Sequence, residues 1–177
     1  MPIETLTTTR LILNELGSED AEAISHLASD KEISDGVIGI PHPYSIESAF
    51  KWIESVHEGY KNGSVITYAV RDIVSKELYG CATLFLTLKH QRAEVGYWIG
   101  KKYWNSGYAT EATKTLIAYA FEKYNLNRID AAHFAENEAS RKVIEKLGFS
   151  YEGLRKNFFI KNGKAVDSKI YGLVRKS

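Results

Sequence analysis

The chain has 177 residues and a formal net charge of +1, from 23 Lys and Arg against 22 Asp and Glu. This length predicts a single domain, residues 1–177, with enough mass for a hydrophobic core, and a hydrophobic share of 44% argues against a disordered chain. The near balance of charge lacks the basic surface on which nucleic-acid binding depends, so no nucleic acid is expected as a partner.

Membrane and export signals are missing from the sequence pattern. The longest uncharged apolar stretch, residues 81–88, falls far short of the ~20 residues that cross a bilayer. The N-terminus lacks a basic segment followed by an apolar run, so no signal peptide is expected. The single Cys81 cannot form an internal disulfide, which agrees with a reducing compartment. We therefore expect a cytoplasmic protein without a membrane partner.

The first half of the chain predicts a strand, two helices and a three-stranded meander. Alternation over residues 11–14 is typical of a strand, and Ser18 offers the N-cap of a first helix. Residues 35–44 hold two glycines and two prolines, which predicts a loop of the kind that contacts ligands. Ser45 predicts the N-cap of a second helix that ends at Asn62-Gly63. The apolar face predicted for that helix is Ala49, Phe50, Ile53 and Val56, and the meander strands are residues 65–71, 78–88 and 93–99.

The second half predicts a long helix, a strand, a short helix and a hairpin. The long helix covers residues 108–124, the strand 127–133, and the short helix 138–147 with Gly148 just beyond its end. Asn162-Gly163 suits a type I′ turn, so the tail predicts a hairpin with strands at residues 151–160 and 165–174. This order of elements indicates an α/β or α+β domain built on a mixed sheet.

A strand, a short loop and a helix start follow one another at residues 95–110. A helix N-terminus carries unpaired N–H groups and about half a positive charge, so it binds phosphate or another anion. Gly107 and Ala109 would leave the approach to those groups unobstructed. The alternative is that Gly107 only lets the loop turn, and spacing alone leaves both interpretations open.

Three ordered blocks of sequence carry a family resemblance: EVGYWI at residues 94–99, YWNSGYATEA at 103–112 and NEASRKVIEKLGF at 137–149. They resemble the GNAT acetyltransferases, specifically the RimJ/RimL-like branch, and residues 6–11 and 167–173 also look like that family. The resemblance implies the GNAT fold, a central mixed, mostly antiparallel sheet flanked by helices. In that fold the fourth and fifth strands splay apart, and acetyl-coenzyme A lies in the gap.

The resemblance also implies where the coenzyme binds. The family's pyrophosphate loop has the form Arg/Gln-x-x-Gly-x-Gly/Ala, and Trp104, Gly107 and Ala109 take those positions. Trp104 replaces the basic or amide residue, and Asn105-Ser106 stands where the branch often has Gly-Lys. The expected phosphate carriers are nevertheless the backbone N–H groups of residues 105–110. The full set of expected coenzyme-binding residues is Trp98, Ile99, Trp104, Asn105, Ser106, Gly107, Tyr108, Ala109, Thr110, Asn137, Ser140 and Arg141.

Asn137 and Ser140 lie at i and i+3, on one face of the start of the predicted short helix. By resemblance, Asn137 binds the pantetheine arm, Ser140 lies near the thioester sulfur, and Arg141 reaches a coenzyme phosphate. From spacing alone, Asn137 would cap the helix, and Ser140 and Arg141 would be ordinary surface residues.

Glu94 and Ser140 are the predicted catalytic residues. Glu94 begins the fourth strand, where it can face the cleft and act as general base, directly or through water. The alternative is a strand-end acid paired with Arg92. In the expected mechanism a neutral amine attacks the thioester in a ternary complex, and a backbone N–H near Gly96 to Trp98 stabilises the oxyanion. Ser140 then hydrogen-bonds the departing sulfur.

The expected acceptor is a primary amine. At pH 7 an α-amine of pKa ~7.8 is neutral far more often than a lysine amine of pKa ~10.4, so a modest base suffices for it. This agrees with the branch, in which N-terminal α-amines of ribosomal proteins are acceptors, while small-molecule amines are the alternative. Walls of the acceptor site are expected in residues 36–44, the second helix and the final hairpin, and the enzyme is expected to be a monomer or homodimer.

Other chemistries are less favoured by the sequence. Cys81 lies in an apolar strand without a His or Asp signature, so core packing is favoured over an acetyl-cysteine mechanism. The five histidines have no metal-ligand spacing, so no metal is expected. A non-catalytic acyl-coenzyme A sensor and an ATP-binding enzyme stay open as alternatives, although the chain lacks Gly-x-x-x-x-Gly-Lys-Ser/Thr.

Overall fold

The computed structural model describes residues 3–175, which form an eight-stranded sheet with helices packed on both faces. The strands are β1 (Leu6–Thr7), β2 (Leu11–Asn14), β3 (Val65–Asp72), β4 (Leu78–Thr87), β5 (Arg92–Ile99), β6 (Arg128–Phe134), β7 (Ser150–Lys161) and β8 (Lys164–Val174). The helices are α1 (Ala21–Ala28), α2 (Lys31–Gly36), α3 (Ile46–Asn62), α4 (Tyr108–Lys123) and α5 (Glu138–Lys146). The strand order is β1-β2-β3-β4-β5-β6-β8-β7.

The start of the chain departs from the sequence prediction in three places. The first helical segment is a 3₁₀ turn at Ser18–Asp20 with Gly17 as its N-cap, so the prediction that Ser18 caps the helix was wrong. The cause is the Asp20 carboxylate, which accepts the Gly17 N–H at 2.9 Å and fixes the turn one residue earlier. Strand β1 and helix α2 were not predicted; α2 takes Asp35 and Gly36 out of the expected loop.

The second helix and the meander are confirmed. The Ser45 hydroxyl accepts the Ser48 N–H, and α3 ends before Gly63, whose φ of 68° is left-handed. Ala49, Ile53 and Val56 are buried as predicted, whereas Phe50 is 45% exposed and lies outside the buried face.

Helices cover both faces of the sheet. On one face, α4 buries Ala112, Leu116 and Ala120, and these small and medium side chains let its backbone approach the strands closely. On the other face, α1 and α3 pack over a second cluster that includes Ala69 and Cys81. Within residues 3–175, none of the helices combines the length and apolar character that a bilayer crossing requires.

The sheet opens between β5 and β6, its parallel pair. Their register runs only from Arg92 opposite Arg128 to Val95 opposite Ala131, although β5 continues to Ile99 and β6 to Phe134. The other neighbouring strands are antiparallel. Because the two-residue β1 precedes the predicted strands, β5 and β6 are the predicted fourth and fifth strands, and their splay confirms the expected fold.

Candidate active site

The edge of β5 beyond Val95 presents backbone groups to the opening. The Gly100 N–H donates to the Tyr79 carbonyl at 2.8 Å, which fixes the alternation of hydrogen bonds between β5 and β4. Counting back by two, Trp98 directs its backbone to β4, and its side chain packs against the cluster under α1 and α3. The backbone N–H and C=O groups of Tyr97 and Ile99 therefore face the opening, and those of Trp98 point away from it.

The loop between β5 and α4 is shaped to bind an anion. Gly107 (φ 81°) and Asn105 (φ 59°) are both left-handed, and the first helical bond of α4 runs from Glu111 N–H to the Gly107 carbonyl at 3.0 Å. Within residues 3–175, the N–H groups of residues 105–107 donate no hydrogen bond. Those of residues 108–110 belong to the first turn of α4 and are likewise unpaired. These are the six N–H groups that the sequence predicted, Asn105, Ser106, Gly107, Tyr108, Ala109 and Thr110.

Trp104 shapes this loop from within. Its indole Nε1 donates to the Ile99 carbonyl at 2.6 Å, which links the end of β5 to the turn before α4. The side chain, 40% exposed, thus takes the place of a basic residue without bringing a charge. At this position the loop therefore offers an anion its backbone N–H groups and no positive side chain.

A brace from the N-terminal segment holds the same loop, and sequence analysis missed it. The Arg10 guanidinium pairs with the Glu111 carboxylate at 2.6 Å and donates to the Ser106 carbonyl at 3.0 Å. The Thr8 hydroxyl donates to Glu111 at 2.5 Å. Partial burial alone would raise the pKa of Glu111, but these hydrogen bonds lower it below its usual range. The only sequence signal was the family likeness of residues 6–11.

The start of α5 lies across the opening from β5. Asn137 caps the helix, its Oδ1 accepting the Ser140 N–H at 3.0 Å, and its Nδ2 makes no hydrogen bond within residues 3–175. The Ser140 hydroxyl lies 3.0 Å from the Tyr97 hydroxyl, and burial raises the pKa of Tyr97 to about 12. Tyr97 is therefore a neutral partner that orients Ser140, a role that the strand pattern did not indicate.

Arg141 points along its own helix. Its guanidinium pairs with Glu138 at 2.7 Å and with Glu145 at 2.8 Å. Exposed pairs of this kind stabilise a helix only slightly, so they would not prevent Arg141 from turning to a phosphate. Its role toward the coenzyme stays a prediction.

Glu94 carries an unpaired carboxylate where β5 and β6 are still in register. Arg92 was its expected partner, but Arg92 pairs with Asp130 at 3.1 Å instead. Within residues 3–175, no cation lies within 4 Å of Glu94, which removes support for the strand-end ion pair. Glu94 is an exposed residue, but partial desolvation of its carboxylate raises its pKa, and the neighbouring Asp130 raises it further, against the opposing effects of Arg155 and Arg92.

Two of the three segments predicted as acceptor walls, the final hairpin and the loop after α2, contact each other. Lys161, at the end of β7, donates to the carbonyls of Val37 and Ile40, each at 2.8 Å, and so ties the hairpin to the loop after α2. A Cβ on Gly36 would lie 3.2 Å from the Asn137 amide nitrogen, so the end of α2 also approaches α5. The hairpin is thus joined to the loop after α2, and the end of α2 lies next to the start of α5.

The remaining chemical candidates lie in the core. Cys81 is 1% exposed, and burial raises its pKa well above the usual range, so the thiol is held protonated. His133 is buried and bonded to the Phe134 carbonyl and the Tyr171 hydroxyl. The described residues contain no group of three His, Cys, Asp or Glu side chains that could hold a metal ion.

A split parallel pair of strands thus lies beside a helix N-terminus with free N–H groups. The family model described as acetyltransferase (GNAT) domain matches residues 10–150. The uncharacterized N-acetyltransferase YoaA of Bacillus subtilis (strain 168) is 34% identical over 171 residues, 96% of each chain. The chain therefore belongs to the GNAT acetyltransferase family and is an N-acetyltransferase.

Two further comparisons are with ribosomal-protein acetyltransferases. The ribosomal protein uS5-alanine N-acetyltransferase of Escherichia coli (strain K12) is 28% identical over 120 residues, 67% of this chain and 62% of that protein. The structure of RimL, a ribosomal L7/L12 α-N-protein acetyltransferase in complex with coenzyme A, superposes with a TM-score of 0.88 at 19% identity. That superposition covers 97% of this chain and 98% of RimL, and it confirms the predicted fold.

Proposed function

We propose that this enzyme moves the acetyl group of acetyl-coenzyme A directly to a primary amine, the N-terminal α-amine of a protein of the ribosomal type. One juxtaposition carries the proposal. The open edge of β5, the free N–H groups before α4 and the unpaired carboxylate of Glu94 all lie on one strand and the loop that follows it. The first two features suit a coenzyme, and the third suits an amine.

The residues present fit acetyl-coenzyme A. It supplies an acetyl thioester whose leaving thiol has a pKa of ~8.5. The N–H groups of residues 105–110 would hold the pyrophosphate, as helix N-termini do. The Tyr97 carbonyl and the Ile99 N–H on one side of the opening, and the free amide nitrogen of Asn137 on the other, would hold the amide-rich pantetheine arm.

Each catalytic role falls to a group already held in place. Glu94 takes the proton of the acceptor ammonium, directly or through water, and a raised pKa brings a carboxylate nearer to the operating pH of a base. The Tyr97 N–H donates to the developing oxyanion from a fixed position in the sheet, so no reorganisation is needed. Ser140, oriented by the Tyr97 hydroxyl, donates to the departing sulfur.

The choice of an α-amine is supported by two observations. Glu94 is a modest base, and an α-amine of pKa ~7.8 needs far less help than a lysine amine of pKa ~10.4. A relative that matches two thirds of this chain is named as acting on the alanine of a ribosomal protein. A cytoplasmic location and a monomeric or homodimeric state remain part of the proposal.

Binding is tested first by thermal unfolding with acetyl-coenzyme A, coenzyme A, ATP and no ligand. A ligand at about 100 times its Kd adds roughly 2.7 kcal/mol to the free energy of unfolding, which moves the midpoint by several degrees. We expect stabilisation by acetyl-coenzyme A and not by ATP. A folded sample that acetyl-coenzyme A leaves unshifted would contradict the proposed cosubstrate.

Transfer is then tested by thiol release with N-terminal peptides and with small amines. We expect Glu94→Gln to lower turnover while the Kd for acetyl-coenzyme A stays unchanged. Glu22→Gln, an exposed carboxylate on α1, is the matched control and should keep full turnover. Unchanged turnover in Glu94→Gln removes Glu94 from the mechanism, and binding without transfer to any amine favours a sensor. Release with small amines but not with peptides would move the acceptor to the small-molecule class.

A further inference from the structure

A charged cavity opens at Glu94 on the face of the sheet opposite α4. Its volume is about 270 Å³, and strands β5, β6 and β7 supply three cations and three anions to its lining. A cavity of this size accommodates a small acceptor or the first residues of a peptide. The charged lining residues are Arg92, Glu94, Arg128, Asp130, Glu152 and Arg155.

Most of these charges neutralise one another. Arg128 pairs with both Asp130 and Glu152, and Arg92 pairs with Asp130. Those four groups form one connected network across β5, β6 and β7. Within residues 3–175, Glu94 and Arg155 have no oppositely charged partner within 4 Å, although both line the same cavity.

The position of Arg155 is set by an irregularity in β7. The register between β7 and β8 shifts between Arg155 and Phe159, and Asn157 there has a φ of 49° with its N–H bound to the Asp167 carboxylate at 2.7 Å. The Arg155 guanidinium carbon lies over the Phe158 ring, 4.7 Å from its centroid. Stacking uses the flat face of the guanidinium and leaves its N–H edge free to bind a planar anion.

We infer that the acceptor carries a carboxylate close to its amine, with Arg155 binding the carboxylate and Glu94 facing the amine. The inference rests on one part of the proposed function, acetyl transfer to a primary amine, and a response of the free amino acid would replace the protein N-terminus as acceptor. It specifies the substrate class, because an amine and a carboxylate together match the two unpaired charges of the cavity. The carboxylate has two possible sources, the α-carboxylate of a free amino acid and an Asp or Glu side chain at the start of a peptide.

The test compares matched acceptors that differ in one carboxylate. One pair is alanine and alaninamide, and the other is a C-terminally amidated peptide with Asp or Asn at its second position. We measure kcat/KM by thiol release for the wild type, Arg155→Gln and Lys156→Gln. Lys156 adjoins Arg155 but does not line the cavity, so it is the control for the lost charge. Comparing each acceptor with itself across variants cancels differences in amine pKa.

We expect Arg155→Gln to lower kcat/KM about tenfold for the acidic member of one pair, through KM, which corresponds to about 1.4 kcal/mol. The neutral member and Lys156→Gln should change less than twofold, and Arg155→Lys should recover part of the loss. The pair that responds identifies the source of the carboxylate. An equal loss for both members, or no loss, overturns the inference.

Failure of the proposed function gives a different result. In that case the wild type would release no thiol with any primary amine, although acetyl-coenzyme A still raised its unfolding midpoint. If Arg155→Gln no longer responds to acetyl-coenzyme A, its fold is damaged, and Arg155→Lys decides the question. If Arg155→Gln is unfolded, the KM of Arg155→Lys is compared with that of the wild type. An unchanged KM for the acidic acceptors counts against the inference.

Discussion

Gly107 is the residue whose replacement tests the anion-binding loop most directly. Its φ of 81° and ψ of 3° lie in the left-handed region, which costs an L-residue roughly 1–2 kcal/mol and is least accessible to a β-branched side chain. A Cβ at this position would meet only the Arg10 guanidinium, at 3.6 Å, an ordinary contact. The penalty of Gly107→Val is therefore backbone strain and not a clash.

That strain predicts a measurable loss of coenzyme affinity. In the free variant the loop relieves the strain by leaving the left-handed region, and its N–H groups then lose their common direction. Binding must restore the original conformation, so the Kd for acetyl-coenzyme A should rise by about 5- to 30-fold, the equivalent of 1–2 kcal/mol. Isothermal titration calorimetry measures this Kd directly.

Two control variants separate the loop from general backbone strain. Gly107→Asn should bind nearly normally, because Asn tolerates the left-handed conformation. Gly63→Val places the same strain at the end of α3, where φ is 68° and no atom lies within 4 Å. It should lower the unfolding midpoint while leaving the Kd unchanged. Wild-type affinity in Gly107→Val would refute the assignment of this loop to the pyrophosphate.

The remaining predictions concern the brace, the hydroxyl pair and the base. Glu111→Gln weakens the contacts from Thr8 and Arg10, so calorimetry should give a severalfold higher Kd for acetyl-coenzyme A with the acceptor KM unchanged; an altered acceptor KM alone would contradict this role. Tyr97→Phe removes the 3.0 Å contact with Ser140, so chemical denaturation should detect a loss of about 0.5–1.5 kcal/mol and turnover should fall; full turnover would exclude this orienting role. A protonated Glu94 cannot accept a proton, so kcat/KM should fall more steeply as the pH decreases below the raised pKa of Glu94. The pH profile of Glu94→Gln should lack this steeper fall. A steeper fall that the variant retains would belong to another group.

Local signals predicted most of the elements. The Ser45 hydroxyl caps α3 by accepting an N–H only three residues further along the chain, so the sequence alone was enough to predict this contact. Asn162 and Gly163 both adopt positive φ values, 51° and 76°, as a type I′ turn requires. Ser18 failed as a cap because the Asp20 carboxylate competes for the same turn and binds Gly17 instead.

The parts of the site that sequence analysis missed depend on contacts between distant residues. Tyr97 reaches Ser140 across the opening, Arg10 reaches Glu111 from the N-terminus, and Lys161 reaches the loop after α2. Strand and helix periodicity states which face a side chain lies on, but not which residue of another element it meets. Glu94 could be predicted as a base because that prediction needed only a strand face, whereas the absence of an Arg92 ion pair depended on Asp130 in β6.

Successive residues of β5 face different parts of the proposed site. The Glu94 side chain points to the charged cavity, the Tyr97 side chain points to α5 on the opposite face, and the backbone of Tyr97 faces the opening in the sheet. A slip of one residue in the ladder with β4 would exchange the two faces and turn the Tyr97 N–H toward β4. Val95 and Ala93, both buried under α4, oppose that slip, since it would carry them to the charged face. The packing of α4 thus fixes the register on which the proposed base and oxyanion donor both depend.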